Sequence, residues 1–181
     1  MSPSLHLRAL RVALLAAGLG YCLAAQATGP APLSLTQLTK KAGFIFAGRV
    51  LRVEYPAPQA DRVPVVQVTL QVEHALRGTQ RGQVFTLTQW AGAWDRGPHF
   101  RPGQRLLLFL YPRSPTGLTS VVGGRLGQFD VDAGGNIVLR TEQQRVLLPP
   151  PEEPAGWRGT RPTDKFGYRD FARRIRRAAA Q

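Results

Sequence analysis

The chain has 181 residues, room for one domain with its own hydrophobic core. Its 24 Lys and Arg outnumber 11 Asp and Glu, giving a formal charge of +13. All of these bases except Lys40, Lys41 and Lys165 are Arg, a bias that genomic base composition explains as readily as function. Cys22 is the single cysteine and falls in the expected leader, which excludes disulfides, thiol catalysis and cysteine metal sites from the remaining chain.

Residues 1–27 read as a secretory signal peptide. His6, Arg8 and Arg11 form a positive n-region, residues 12–23 an apolar h-region, and Ala25-Gln26-Ala27 an A-x-A cleavage site. The expected product starts at Thr28 and is exported to the periplasm or the medium. The apolar run is too short to read as a membrane span. Tyr21, in front of Cys22, fits a lipoprotein signal poorly because that position takes a small residue.

Residues 28–34 are a flexible leader. Ser34-Leu-Thr-Gln37 then has the capping-box pattern, so a short helix is expected from about Leu35 to Lys41, ended by Gly43. Residues 44–53 (FIFAGRVLRV) read as a strand with a bulge or bend at Gly48. Residues 55–64 hold three prolines and read as a loop. In residues 65–74, Val66, Val68, Leu70 and Val72 share one face of a half-buried strand and His74 falls on the same parity. After a turn at 75–78 comes a third strand over 83–90, with Phe85 and Leu87 inward. Residues 91–102 are a loop.

Arg101-Pro-Gly-Gln-Arg leads into the unbroken apolar run 106–111, which Pro112 stops. So short a run between turn signals predicts a strand buried on both faces. A turn at 114–117, a strand at 118–122, a break at Gly123-Gly124 and a hairpin of 126–131 with 136–139 follow. An edge strand is expected over 145–148. Residues 149–154 (PPPEEP) are a stiff linker, and the chain reads as irregular up to residue 169. Residues 170–181 form a basic amphipathic helix, with Phe171, Ala172, Ile175, Ala178 and Ala179 on one face and Arg173, Arg174, Arg176 and Arg177 opposite. Residues 158–181 carry eight bases and two acids.

Three segments, 42–53 (AGFIFAGRVLRV), 66–78 (VQVTLQVEHALRG) and 100–110, together with Gly127-Gln-Phe-Asp-Val131, carry a resemblance. They are similar to small exported bacterial proteins with a netrin-like OB-type barrel, and more distantly to the tissue inhibitors of metalloproteinases. The resemblance covers residues 35–139. It implies a mainly β fold, a barrel of five to six strands over 35–148 with a short N-terminal helix and a basic C-terminal one. The animal inhibitors chelate protease zinc through an N-terminal cysteine, which a chain beginning at Thr28 lacks, so that mechanism does not carry over.

Two surfaces stand out as candidate sites. Trp90, Trp94, Asp95, Arg96, His99 and Phe100 concentrate aromatic and charged groups around one loop, the kind of surface on which OB-type barrels hold ligands. The plainer and favoured reading is that Trp90 caps the barrel and Trp94 packs under its own loop. Arg169, Arg173, Arg174, Arg176 and Arg177 form a candidate anion-binding face. The apolar side of their helix is small and suits docking on the barrel better than insertion into lipid. His74 and His99 lack the spacing of a metal site. Asp130-Val-Asp132 lacks the fifth and twelfth ligands of a calcium loop, since those positions are Gly134 and Thr141. No nucleophile elbow or phosphate loop occurs. The sequence therefore predicts a non-enzymatic binding protein without cofactor, its partner a protein or peptide, with an exported protease as one such partner. The alternative is a polyanion or envelope-surface binder acting through the Arg helix.

Overall fold

Short apolar runs, most of them followed within a few residues by Gly or Pro, pair here into one antiparallel sheet. The computed structural model describes residues 33–57, 63–93, 99–147 and 164–180. The expected signal peptide, most of the leader, part of the 55–64 loop and the polyproline linker lie outside them. Seven strands, β1 (Phe44–Glu54), β2 (Val65–Arg77), β3 (Val84–Trp90), β4 (Arg105–Leu110), β5 (Gln128–Val131), β6 (Asn136–Val138) and β7 (Lys165–Gly167), take the order β3-β2-β1-β4-β5-β6-β7. Three helices, α1 (Leu35–Lys41), α2 (Thr141–Leu147) and α3 (Tyr168–Ala179), accompany them. The protein is thus mainly β, but its sheet has seven strands and open edges at β3 and β7, where a closed barrel of five to six strands was expected.

β4 is dry on both sides: Leu106, Leu107, Leu108, Phe109 and Leu110 all have 0% exposure. Its alternate residues therefore feed two cores. Leu106, Leu108 and Leu110 join Phe46, Val68, Leu70 and Phe85 in one, the strand-lined core. Leu107 and Phe109 join Leu38, Phe129, Phe171 and Ile175 in the other, the helix-covered core. Phe129 sits between Phe109 and Phe171, with ring centroids 5.6 and 5.2 Å away, so an aromatic stack runs from β4 through β5 to α3.

The sheet curls around the strand-lined core. Thr119 N–H donates to Thr88 O on β3 at 2.8 Å, and its hydroxyl donates to Tyr111 O at 2.6 Å. Two residues on, Val121 bridges Leu110 on β4. One short segment thus touches both β3 and β4, but as an isolated bridge and not the full strand expected over 118–122. Arg113 fixes the same return by donating to Thr86 O at 2.7 Å with its guanidinium 4.9 Å from the Phe85 ring.

Bulges decide which core each residue serves. Along β1 and β2 the register slips between Ala47 and Gly48, where Glu73 on β2 has no partner. An added Cβ on Gly48 would collide with the Gln71 carbonyl oxygen, so glycine is required at this close approach. The slip also reverses parity. Val66 to Val72 face the strand-lined core as expected, but His74 turns to the helix-covered side and stacks on Tyr168 at 4.4 Å. The shared face predicted for His74 with Val66 to Val72 is therefore corrected. Glu73 projects beside it, receiving two hydrogen bonds from Arg105 at 2.9 and 2.7 Å.

The helices differ from expectation in informative ways. α1 begins with the predicted capping box, Ser34 with Gln37. It ends at extended Ala42, and Gly43 takes no left-handed conformation. The end carbonyls are instead satisfied from β2, where Arg77 donates to Thr39 O at 2.6 Å and Ala42 O at 3.0 Å. Of the edge strand expected at 145–148, residues 145–147 belong to helix α2, because Gln143 reaches back to the Arg140 N–H at 3.0 Å and closes the first turn, and Leu148 lies outside the described residues. Residues 165–167 of the supposedly irregular stretch pair with β6 as β7.

α3 starts at Tyr168, two residues earlier than expected, and buries Phe171, Ala172, Ile175 and Ala178. Ala179, expected on that face, is exposed. Burial pushes the Tyr168 phenol up, against a smaller opposing pull from Arg176. The hairpin turn over 132–135 forms as predicted, but its strands are shorter than the expected 126–131 and 136–139, because Leu126 and Gly127 belong to a 3-10 turn and Leu139 lies beyond β6. A backbone and then a side-chain hydrogen bond from Asn136, with Lys165 nearby, hold the Asp132 carboxyl below its ordinary range.

Gly48→Ala is expected to destabilise the fold by roughly 2 kcal/mol or more, since the colliding atom is backbone and cannot rotate away. Urea unfolding should give a lower midpoint, and an unchanged midpoint would place the Gln71 carbonyl elsewhere.

Candidate functional site

Of the residues grouped by the sequence, the three that are described, Trp90, His99 and Phe100, have different surroundings. Phe100 is 3% exposed within the strand-lined core, so it is a packing residue and not a contact surface. Trp90 is 52% exposed at the end of β3, its indole lying over Gly92, and so does not cap the sheet by burial. Trp94, Asp95 and Arg96 lie outside the described residues. His99 is exposed and lines a cleft with partners that the sequence reading missed.

That cleft, of about 460 Å³, is built from three separate stretches. The loop before β4 supplies His99, Arg101 and Gln104; the turn before β5 supplies Arg125, and β5 itself Gln128 and Asp130; Arg140 comes from the chain entering α2. Gln128 and Asp130 share one face of β5 because strand side chains alternate, while Phe129 between them enters the helix-covered core. Val122 closely approaches the turn at Gly127, where a Cβ would collide with its carbonyl oxygen. Glycine at that point lets the turn carrying Arg125 fold tightly onto the segment before it.

A continuous polar network holds the cleft. Gln104 accepts from Arg101 N–H at 3.2 Å and donates to one Asp130 oxygen at 3.0 Å. The other Asp130 oxygen accepts from Arg140 at 3.1 Å, and Arg140 also donates to Arg125 O at 3.3 Å. Gln143, 1% exposed, closes the network from behind. Its amide donates to the carbonyls of Arg125, Leu126 and Gln128 at 3.1, 3.2 and 2.8 Å. One buried side chain thus fixes the backbone that aims Arg125 and Gln128.

The electrostatics follow from this wiring. Asp130 is neutralised by Arg140, leaving Arg101 and Arg125 with no ion pair among the described residues. The cleft is therefore positive and rich in donors, except at one atom: the buried Gln128 Oε1 has no hydrogen-bond partner among the described residues. No three His, Cys, Asp or Glu side chains among the described residues are grouped to hold a metal. His74 stacks on Tyr168, whereas His99 lines the cleft, whose lining does not include His74.

The arginines of the second candidate surface lie together on one helix. Arg169, Arg173, Arg174, Arg176 and Arg177 are all exposed on α3, whose other side is occupied by packing. Arg173 pairs with Asp170, and Arg174 lies 5.1 Å from the Phe166 ring centroid. No described helix is long and apolar enough to cross a membrane. Comparison with known proteins finds no counterpart: no protein-family model, curated protein or solved structure matches this chain.

Gln143→Leu is expected to cost about 1–3 kcal/mol, because the Leu126 and Gln128 carbonyls lose the Gln143 amide and Arg125 O is left with Arg140. Denaturant unfolding measures the loss, and the Arg125 and Gln128 amide resonances should shift with it. A neutral effect on both would mean that Gln143 does not organise the cleft.

Proposed function

We propose that the protein is an exported, non-enzymatic binding module that takes a protein or peptide partner at the cleft in front of β4. The observation carrying this reading is the pair of guanidiniums, Arg101 and Arg125, which have no ion pair among the described residues and stand on a hydrogen-bonded backbone frame. A frame so fixed loses little entropy on binding, and Arg is suited to carboxylate partners. Export is supported by the n-region, apolar run and A-x-A pattern of residues 1–27. The netrin-like OB-type architecture is supported by the order of sequence segments and by the return of residues 119–121 to both β3 and β4. Exported proteases are one class of partner consistent with that likeness.

A second reading is favoured by the exposed Arg face of α3, which suits a polyanion or an anionic envelope surface. Because Phe171 and Ile175 are already buried against the sheet, such binding is purely electrostatic.

The two readings separate cleanly. Protein captured from the exported fraction on the immobilised chain should be lost with the Arg101→Gln/Arg125→Gln variant and retained with Arg173→Gln/Arg174→Gln/Arg176→Gln/Arg177→Gln. The reverse pattern, with binding that falls steeply as salt rises, would replace the cleft by the helix. Equal capture by all three proteins would contradict both.

A further inference from the structure

The geometry points to a defined ligand chemistry for the cleft: a peptide carboxylate with an amide N–H beside it. This inference rests on the peptide-binding reading above and makes it specific. Two independent features demand two different groups on the ligand.

The first is charge. Asp130 has both oxygens engaged, by Gln104 at 3.0 Å and by Arg140 at 3.1 Å, so it does not neutralise the remaining bases. Arg101 and Arg125 face the same cleft from different loops. A planar carboxylate matches guanidinium donors and is the group that Arg recognises best. A cationic or wholly apolar ligand leaves both charges uncompensated.

The second is an acceptor in need of a donor. Gln128 is 2% exposed, and its Oε1 is unpartnered among the described residues. Its amide orientation is set by the network, because Nε2 donates to His99 O at 3.3 Å. Turning the amide over would set two oxygens against each other, so the unpartnered atom of this cleft-lining residue is the buried acceptor, which a ligand reaches by displacing what covers it. Leaving such an acceptor buried and unmatched is costly, and a ligand N–H relieves it. A carboxylate alone satisfies the arginines and leaves Gln128 unmatched. An amide alone does the opposite.

Peptides carry both groups together in two places, at the C-terminal residue and at an Asp or Glu side chain beside its own backbone N–H. A cleft of about 460 Å³ lies within the range of roughly 300–1,000 Å³ typical of small-ligand sites and suits a short segment, not a folded surface.

The test uses isotope-labelled chain and three randomised hexapeptide pools. One has a free C-terminal carboxylate and no acidic residues, one the same positions with a C-terminal amide, and one an amide end with a single internal Asp or Glu. The readouts are the Arg101 and Arg125 Nε–H and the Gln128 side-chain amide resonances, with inorganic phosphate as a fourth probe. The free-acid pool, the internal-acid pool, or both should shift all three residues and bind about tenfold or more tighter than the uncharged pool. Which of the two does so assigns the carboxylate to the chain end or to a side chain. Arg101→Gln/Arg125→Gln should abolish the difference.

Binding of the uncharged pool as tightly as the acidic ones would overturn the carboxylate assignment while leaving peptide binding standing. So would phosphate shifting the arginines as strongly as the pools while Gln128 does not respond. If none of the pools binds, the peptide-binding reading fails along with the inference.

Discussion

Four leucines and a phenylalanine in a row, Leu106 to Leu110, are withdrawn from water on both faces of β4, and the other elements are arranged to make that possible. Burying each such side chain is worth about 1.5–3 kcal/mol, so together they contribute on the order of 10 kcal/mol of transfer free energy. That compares with a net stability of about 5–15 kcal/mol for a typical domain. No face of β4 can be left open without forfeiting much of that margin. The strand-lined side is closed by the curl of β1, β2 and β3 and by the return of residues 119–121. The helix-covered side is closed by α1, α2 and α3. Nothing in this scheme uses a cysteine.

The curl needs places where the ladder gives way, and these places set side-chain direction. Gly48 admits the Gln71 carbonyl, Glu73 is squeezed out of register, and the residues after it change sides. The exchange puts His74 against Tyr168 and so helps seat α3. Arg77 then reaches the end of α1. The Leu-Arg-Gly sequence at 76–78 is accordingly more than a turn. Leu76 packs on the helix-covered core, Arg77 caps a helix, and Gly78, at φ +70°, reverses the chain.

Features encoded within a few neighbouring residues were legible in the sequence. The capping box of α1, the alternation of 66–72, the doubly buried β4, the 132–135 hairpin and the buried face of α3 all depend on local spacing. Features that need a distant partner were not. β7 has three residues and is a strand only because β6 lies beside it. α2 was read as a strand from Val146, Leu147 and Leu148, although Thr141-Glu-Gln-Gln144 ahead of them carries the helix-start signal. The parity change after Glu73 follows from a bulge whose position, but not its consequence for His74, was signalled by Gly48. The cleft was hardest of all. Arg101, Arg125 and Arg140 are isolated arginines in a chain rich in arginine, and only the β4–β5 pairing brings them together. The one available clue was His99, which the sequence grouped with Trp90 and Phe100 for their chemistry and not for their place.

The cleft and the scaffold are one construction. Gln128 and Asp130 line the cleft from β5, and Phe129 between them locks β5 onto β4 and α3. The backbone carrying Gln128 and Asp130 is therefore held as firmly as the strand it belongs to. Native-state amide hydrogen exchange tests this dependence most directly. The amides of Leu106 to Leu110 should exchange only through global unfolding, with an opening free energy equal to that from denaturant titration, and the amide of Phe129 should follow them. Exchange of the β4 amides through a local opening well below the global value, with the rest of the sheet still protected, would contradict the claim that the structure is organised around β4.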